Sequence, residues 1–130
     1  PAHHAYTDGS AYKCTDVTGE VETVGPAGCG AYVLFQDGRE MFRSVPLGAA
    51  TNGMAEVHGL ITAAECFLGN EPDDAEPIFF FTDNRAAIRV ATGAKSPWWC
   101  EEEAKKLRTL VQNIADSRKA TFFWVPGRAW

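Results

Sequence analysis

A mixed β-sheet carrying helices, class α/β or α+β, is the fold this sequence predicts. Three observations predict it. The first half alternates apolar and polar residues at the two-residue period of strands. At Asn52 the period lengthens to that of a helix. The run Ile78-Phe79-Phe80-Phe81 is then apolar on both faces, as a strand buried between helices is. The implied order is β-β-β-α-β-α-α-β, an antiparallel hairpin sheet that turns into parallel crossovers.

Taken in order, His4 to Thr7 reads as a strand entering an Asp8-Gly9-Ser10 turn. Thr15 to Gly28, rich in Gly and Thr and containing Pro26, reads as a loop. Cys29 to Gln36 alternates around Ala31, Val33 and Phe35, and Asp37-Gly38 is a two-residue hairpin signal leading to a returning strand, Arg39 to Val45. Val57, Leu60, Ile61, Ala64 and Phe67 or Leu68 recur at helical spacing from Asn52 until Gly69-Asn70. Glu71 to Pro77 is an acidic connector, and a short helix runs from Asn84 to about Ala91. Ser96-Pro97 reads as the start of the last helix, whose apolar stripe is Ala104, Leu107, Val111 and Ile114. Glu101–Lys105 and Glu102–Lys106 are spaced to pair on its wet face. Thr121 to Val125 is the final strand.

At 130 residues the chain is one domain of common size, able to bury roughly two-thirds of its unfolded surface. Hydrophobic residues make up 45% and charged residues 22%, which excludes a disordered or collagen-like chain. No apolar run approaches the roughly 20 residues of a membrane span. The Pro-Ala-His-His-Ala start has no signal-peptide character, and the missing initiator Met is expected of an excised piece. Twelve Lys and Arg against 17 Asp and Glu give a net charge of −5, and the pI is about 5.1. That excludes a simple basic nucleic-acid binder but not nucleic acid held through metal ions. Cys14, Cys29, Cys66 and Cys100 form no C-x-x-C pair, so reduced, mostly buried thiols and an intracellular (nuclear or cytoplasmic) location are expected, without a zinc site.

Two segments echo each other: Ala5-Tyr6-Thr7-Asp8-Gly9 and Phe80-Phe81-Thr82-Asp83-Asn84. Each places an aspartate at the carboxyl end of an apolar strand. If the strands are parallel neighbours, both carboxylates emerge at one sheet edge, where ligands of such sheets bind. Two acids there repel unless protonated or bridged by a cation, and Mg²⁺ suits carboxylate oxygens. Singly, Asp8-Gly9 is explained by a turn and Asp83 by a helix cap; the pairing raises the functional reading. Glu56 lies at the edge of the apolar stripe of its helix, where it either serves the helix dipole or faces a site.

The intervals are 48 residues from Asp8 to Glu56 and 27 from Glu56 to Asp83. Tyr6-Thr7-Asp8-Gly9-Ser10, Thr51-Asn52-Gly53-Met54-Ala55-Glu56, Phe81-Thr82-Asp83-Asn84 and Phe123-Trp124-Val125-Pro126-Gly127, in this order, resemble the motifs of type 1 ribonuclease H. Trp-Val-Pro-Gly and Ser96-Pro97 are most similar to the ribonuclease H domains of non-LTR retrotransposon reverse transcriptases. The resemblance spans Tyr6 to Gly127. It implies a five-stranded mixed sheet, its first three strands antiparallel and the rest parallel, with flanking helices. It implies catalytic and metal-binding roles for Asp8, Glu56 and Asp83, holding two Mg²⁺ or Mn²⁺ ions, and contacts to nucleic acid from Ser10, Asn52, Arg85 and Arg128. The implied partner is an RNA/DNA hybrid, and the implied setting is a larger reverse-transcribing polyprotein, the domain itself monomeric and free of membrane.

Three departures accompany the resemblance. Arg128 stands where the family has a histidine, and no fourth aspartate on a terminal helix follows, so the expectation is a single domain over residues 1–130 lacking its C-terminal helix. Asn84-Arg85 replaces Ser-Gln, and Arg85 could grip a phosphate. Three hypotheses follow: a metal-dependent endonuclease cutting the RNA strand of a hybrid; a catalytically impaired or inactive module for hybrid binding or structural support; and a flavodoxin-like domain holding Mg²⁺ and a phosphorylated small molecule, which the opening hairpin disfavours. Bland readings go to His3 and His4 (a flexible terminus), His58 (surface), Trp98, Trp99 and Trp124 (packing), and the Lys105, Lys106, Arg108, Arg118 and Lys119 group (a solvated face).

Overall fold

The computed structural model describes residues 1–11, 14–15, 22–23, 25–93 and 96–127. Its elements are β1 (His3–Ala11), β2 (Cys14–Thr15), β3 (Glu22–Thr23), β4 (Gly25–Leu34), β5 (Glu40–Ala50), α1 (Asn52–Gly69), β6 (Ile78–Thr82), α2 (Arg85–Thr92), α3 (Glu101–Ala115) and β7 (Ala120–Trp124). Five strands form one sheet in the order β5-β4-β1-β6-β7, while β2 and β3 pair as a separate small ribbon. The β5/β4 and β4/β1 pairs are antiparallel; β1/β6 and β6/β7 are parallel. This is the mixed sheet the sequence predicts.

The helices lie on one face. Helix α1 packs across β1 and β4, and α3 packs on α1. The inward residues Ala5, Ala31, Val33, Ile78 and Phe80 meet Val57, Leu60, Ile61 and Phe67 of α1 and Leu107 and Ile114 of α3 in one core. Period two on strands and 3.6 on helices aim these side chains at each other. Thr51 caps α1 by accepting the Met54 N–H at 3.2 Å, and Asn84 caps α2 through the Ala87 N–H at 2.8 Å; Ser, Thr, Asn and Asp side chains fill this role because helix N-termini leave amides unpaired.

Several boundaries differ from expectation. Strand β1 runs straight through Asp8 and Gly9, which pair with Gly30 and Cys29, so there is no turn there. The expected Thr15–Gly28 loop gives up Gly25–Gly28 to β4. Pro26 is tolerated because it lies past Ala27, the last β4 residue paired with β1, and the ladder is already irregular between Ala27 and Gly28. Strand β5 continues to Ala50 despite Pro46 and Gly48, since it is an edge strand where a missing N–H costs no ladder bond. The β4–β5 connection is residues 35–39, closed by the Phe35 N–H to Arg39 O bond at 2.8 Å, with Gly38 at φ +94.

Ser96-Pro97 does not begin α3. A turn carries the Cys100 N–H onto Pro97 O, and the helix starts at Glu101, where three glutamates favour its dipole. Lys105 pairs with Glu101, but Lys106 reaches Glu65 on α1 instead of Glu102. His3 is no flexible end. It is fully buried, its Nε2 3.0 Å from Asp74 Oδ1, with the Gln36 N–H donated to its Nδ1. Arg118 is 6% exposed, not solvated: it donates to Asp74 Oδ1 and to the carbonyls of Pro72, Asp74 and Glu76. Trp98 is 91% exposed and packs in no core. Cys29, Cys66 and Cys100 are free and buried, as expected. Among the described residues no helix is long and apolar enough to cross a membrane.

Candidate metal centre

The parallel β1/β6 ladder ends at the pair Tyr6–Phe81. Asp8 and Asp83 each follow two residues later, so the register of the ladder alone delivers both carboxyl groups to one edge of the sheet. Glu56 comes from the first turns of α1, and its approach depends on Gly9. A Cβ at Gly9 would stand 2.3 Å from Ala55 C and O and 2.6 Å from Glu56 N. Only glycine lets the helix backbone press against β1 here. The same contact orients the acid, since the Gly9 N–H donates to Glu56 Oε1 at 3.3 Å.

One carboxylate oxygen from each of Asp8, Glu56 and Asp83 lies within 4.8 Å of the others. Asp8 is exposed, Asp83 half-buried, and Glu56 only 3% exposed. Burial first, then the charges of Asp83 and Asp8, push the Glu56 carboxyl up to about 8. Asp8 is raised too, by burial and by Asp83. Among the described residues no Lys, Arg or His forms an ion pair with any of the three. Glu56 Oε2 is buried with no hydrogen-bond partner. A buried, unpaired carboxylate oxygen aimed into two further carboxylates is costly unless a proton or a cation joins them. An all-oxygen donor set of this kind suits a hard divalent ion such as Mg²⁺ or Mn²⁺.

The other sequence-derived candidates surround this cluster unevenly. Ser10 is exposed on β1 and lines a groove with Asp8, Gly28, Gly30, Phe42 and Ser44. Asn52 is exposed one helical turn before Glu56. Arg85 is exposed at the start of α2, its guanidinium 4.0 Å above the Trp124 ring. Arg128 lies outside the described residues. Gly9, Trp124 and Gly127 are the parts that sequence reading missed. Thr-Asp-Gly looked like a turn, and only its place inside a strand shows the glycine to be a contact point.

This strand order and helix placement recur in solved structures. LC11-RNase H1, isolated from compost by a metagenomic approach, superposes with a TM-score of 0.73 at 22% identity, covering 97% of this chain and 85% of that one. The chain has the ribonuclease H fold. The same LC11 protein has been crystallised with an RNA/DNA hybrid, matching at a TM-score of 0.68 and 22% identity over 96% of this chain and 86% of that one. RNase H1 of the halophilic archaeon Halobacterium salinarum matches at 0.67 and 22% identity, over 98% and 87%. The ribonuclease H domain of prototype foamy virus matches this fold at 0.66 and 22% identity, over 96% and 79%. No family model and no curated protein matches the chain.

Proposed function

We propose that the chain is a divalent-cation-dependent endonuclease of the ribonuclease H family, which hydrolyses the RNA strand of an RNA/DNA hybrid as a domain of a reverse-transcribing protein. One observation carries this reading: three carboxylates converge at the end of a parallel ladder while Glu56 Oε2 is buried without a partner. The hybrid-bound LC11 neighbour supports the choice of substrate, and the prototype foamy virus protease-reverse transcriptase, part of which has the same fold, supports the setting.

Asp8, Glu56 and Asp83 would hold Mg²⁺ or Mn²⁺, two ions in the complete site. Such ions would supply activation of a water and stabilisation of the leaving oxygen, and cleavage would leave a 3′-hydroxyl and a 5′-phosphate on the RNA. The protein's share is placement. Gly9 fixes the Glu56 carboxylate through its N–H, and exposed Ser10 and Asn52 flank the cluster where a sugar–phosphate backbone would run. Arg85, held over Trp124 at the start of α2, offers a cation for a phosphate. With a net charge of −5 the chain gains little general attraction for a hybrid, so binding is expected to be weak and steeply salt-dependent.

Arg128 stands where the family resemblance implies a histidine. This favours a second reading, a hybrid-binding module with little or no cleavage. A labelled-RNA hybrid separates the two, with double-stranded DNA as control. The expected result is slow cleavage in Mn²⁺, slower in Mg²⁺ because its octahedral demand is stricter, and none after Asp83→Asn. Hybrid retained but uncut in both metals would move the assignment to the binding module.

A further inference from the structure

The turn carrying Asp83 is held from the neighbouring strand as well as by its own helix. The Val125 N–H donates to Thr82 O at 2.9 Å, and the Trp124 indole N–H donates to Asp83 O at 3.0 Å. A Cβ on Gly127 would stand 3.2 Å from Asp83 Oδ2, so the backbone after β7 lies directly against the carboxylate. Trp124 pairs with Thr82 at the last rung of the β6/β7 ladder. Its ring carries the Arg85 guanidinium at 4.0 Å.

Trp124 is 43% exposed, so burying its ring is a small part of its role. What it does supply is a rigid donor at a fixed place. The peptide following Asp83 is planar, so anchoring its oxygen limits rotation at the Asp83 α-carbon and with it the direction in which the side chain leaves the chain. A donor one step removed from a ligand orients that ligand and tunes the site's affinity.

We propose that Trp124 is a positioning residue of the carboxylate cluster: its indole N–H holds the Asp83 peptide so that the Asp83 carboxylate meets those of Asp8 and Glu56 around one divalent cation. The proposal rests on the reading that this cluster takes such a cation. Arg85 rides on the same ring, so one side chain places both a cation-binding carboxylate and a neighbouring positive group.

The test measures Mn²⁺ affinity of the full chain by titration, alongside the melting temperature without metal. Trp124→Phe keeps an aromatic face for Arg85 and removes the N–H. It is expected to weaken Mn²⁺ binding about 10-fold, with the metal-free melting temperature nearly unchanged. Replacing Trp124 by benzothienylalanine, which keeps the bicyclic ring and lacks the N–H, should reproduce the loss even if the phenylalanine variant folds poorly. Wild-type affinity in the benzothienylalanine protein would overturn the proposal. Asp8→Asn separates the two levels: if it binds Mn²⁺ as wild type does, the cation reading itself falls, and the role of Trp124 falls with it.

Discussion

Glu56→Gln isolates the electrostatic strain of the carboxylate cluster. The side chain is 3% exposed, and burial with the charges of Asp83 and Asp8 raises its carboxyl from 4.5 to about 8. Between those two values the folded state binds more protons than the unfolded one, so folding stability falls as pH rises through the interval. Each pH unit of difference is worth about 1.4 kcal/mol. The loss is therefore under about 1 kcal/mol at pH 5, roughly 3 kcal/mol at pH 7, and levels near 5 kcal/mol above pH 8. Glutamine has the same shape, keeps an oxygen for the Gly9 N–H and carries no charge at any pH. Thermal unfolding in chelator should find Glu56→Gln close to wild type at pH 5. At pH 7 it should melt about 10 °C higher, at roughly 3–4 °C per kcal/mol for a chain of this length. A gap that stays constant from pH 5 to 9 would refute the reasoning, since only a titrating, strained carboxyl makes it grow.

Two further expectations concern the framework. Gly9→Ala forces a methyl group into the Ala55–Glu56 backbone, so α1 must withdraw from β1; a loss of at least about 3 kcal/mol in urea unfolding is expected, in the upper range for overpacking, together with loss of the rise in melting temperature that Mn²⁺ binding to the folded state should give the wild type. Arg118→Met gives up the guanidinium over the Phe67 ring together with Asp74 and three carbonyls; it should destabilise by about 3 kcal/mol, and a change below about 1 kcal/mol in denaturant unfolding would show the network to be dispensable.

The helices and the order of strands and helices along the chain were legible because each element leaves a local period. Val57, Leu60, Ile61 and Phe67 mark one face of α1 whatever lies opposite, and Ile78–Phe81 reads as a strand, although the helices cover only its Ile78 and Phe80 face and leave Phe79 and Phe81 half-buried on the other. The echo of Thr7-Asp8 and Thr82-Asp83 was legible for the same reason: parallel strands carry equivalent positions to the same edge. Element ends were less so. Pro46 and Gly48 look like stops in a window of ten residues, yet β5 passes through them because an edge strand has one side free. The Asp8-Gly9 pair looks like a turn until the ladder to β4 pulls it straight.

What the sequence by itself determined is therefore the periodic part: a hairpin sheet, its parallel continuation, the amphipathic helices, and three acids at intervals that suit one site. The tertiary structure alone decided how close those acids come and what holds them. Gly9 matters because a backbone from 46 residues further along rests on it. Glu56 becomes a strained acid because burial and two neighbours raise its carboxyl together. His3 and Arg118 turn from apparent surface groups into a buried network around Asp74. Trp124 finds its acceptor 41 residues away. Each of these depends on contacts between distant segments, and a local pattern carries no record of the distance at which such segments meet.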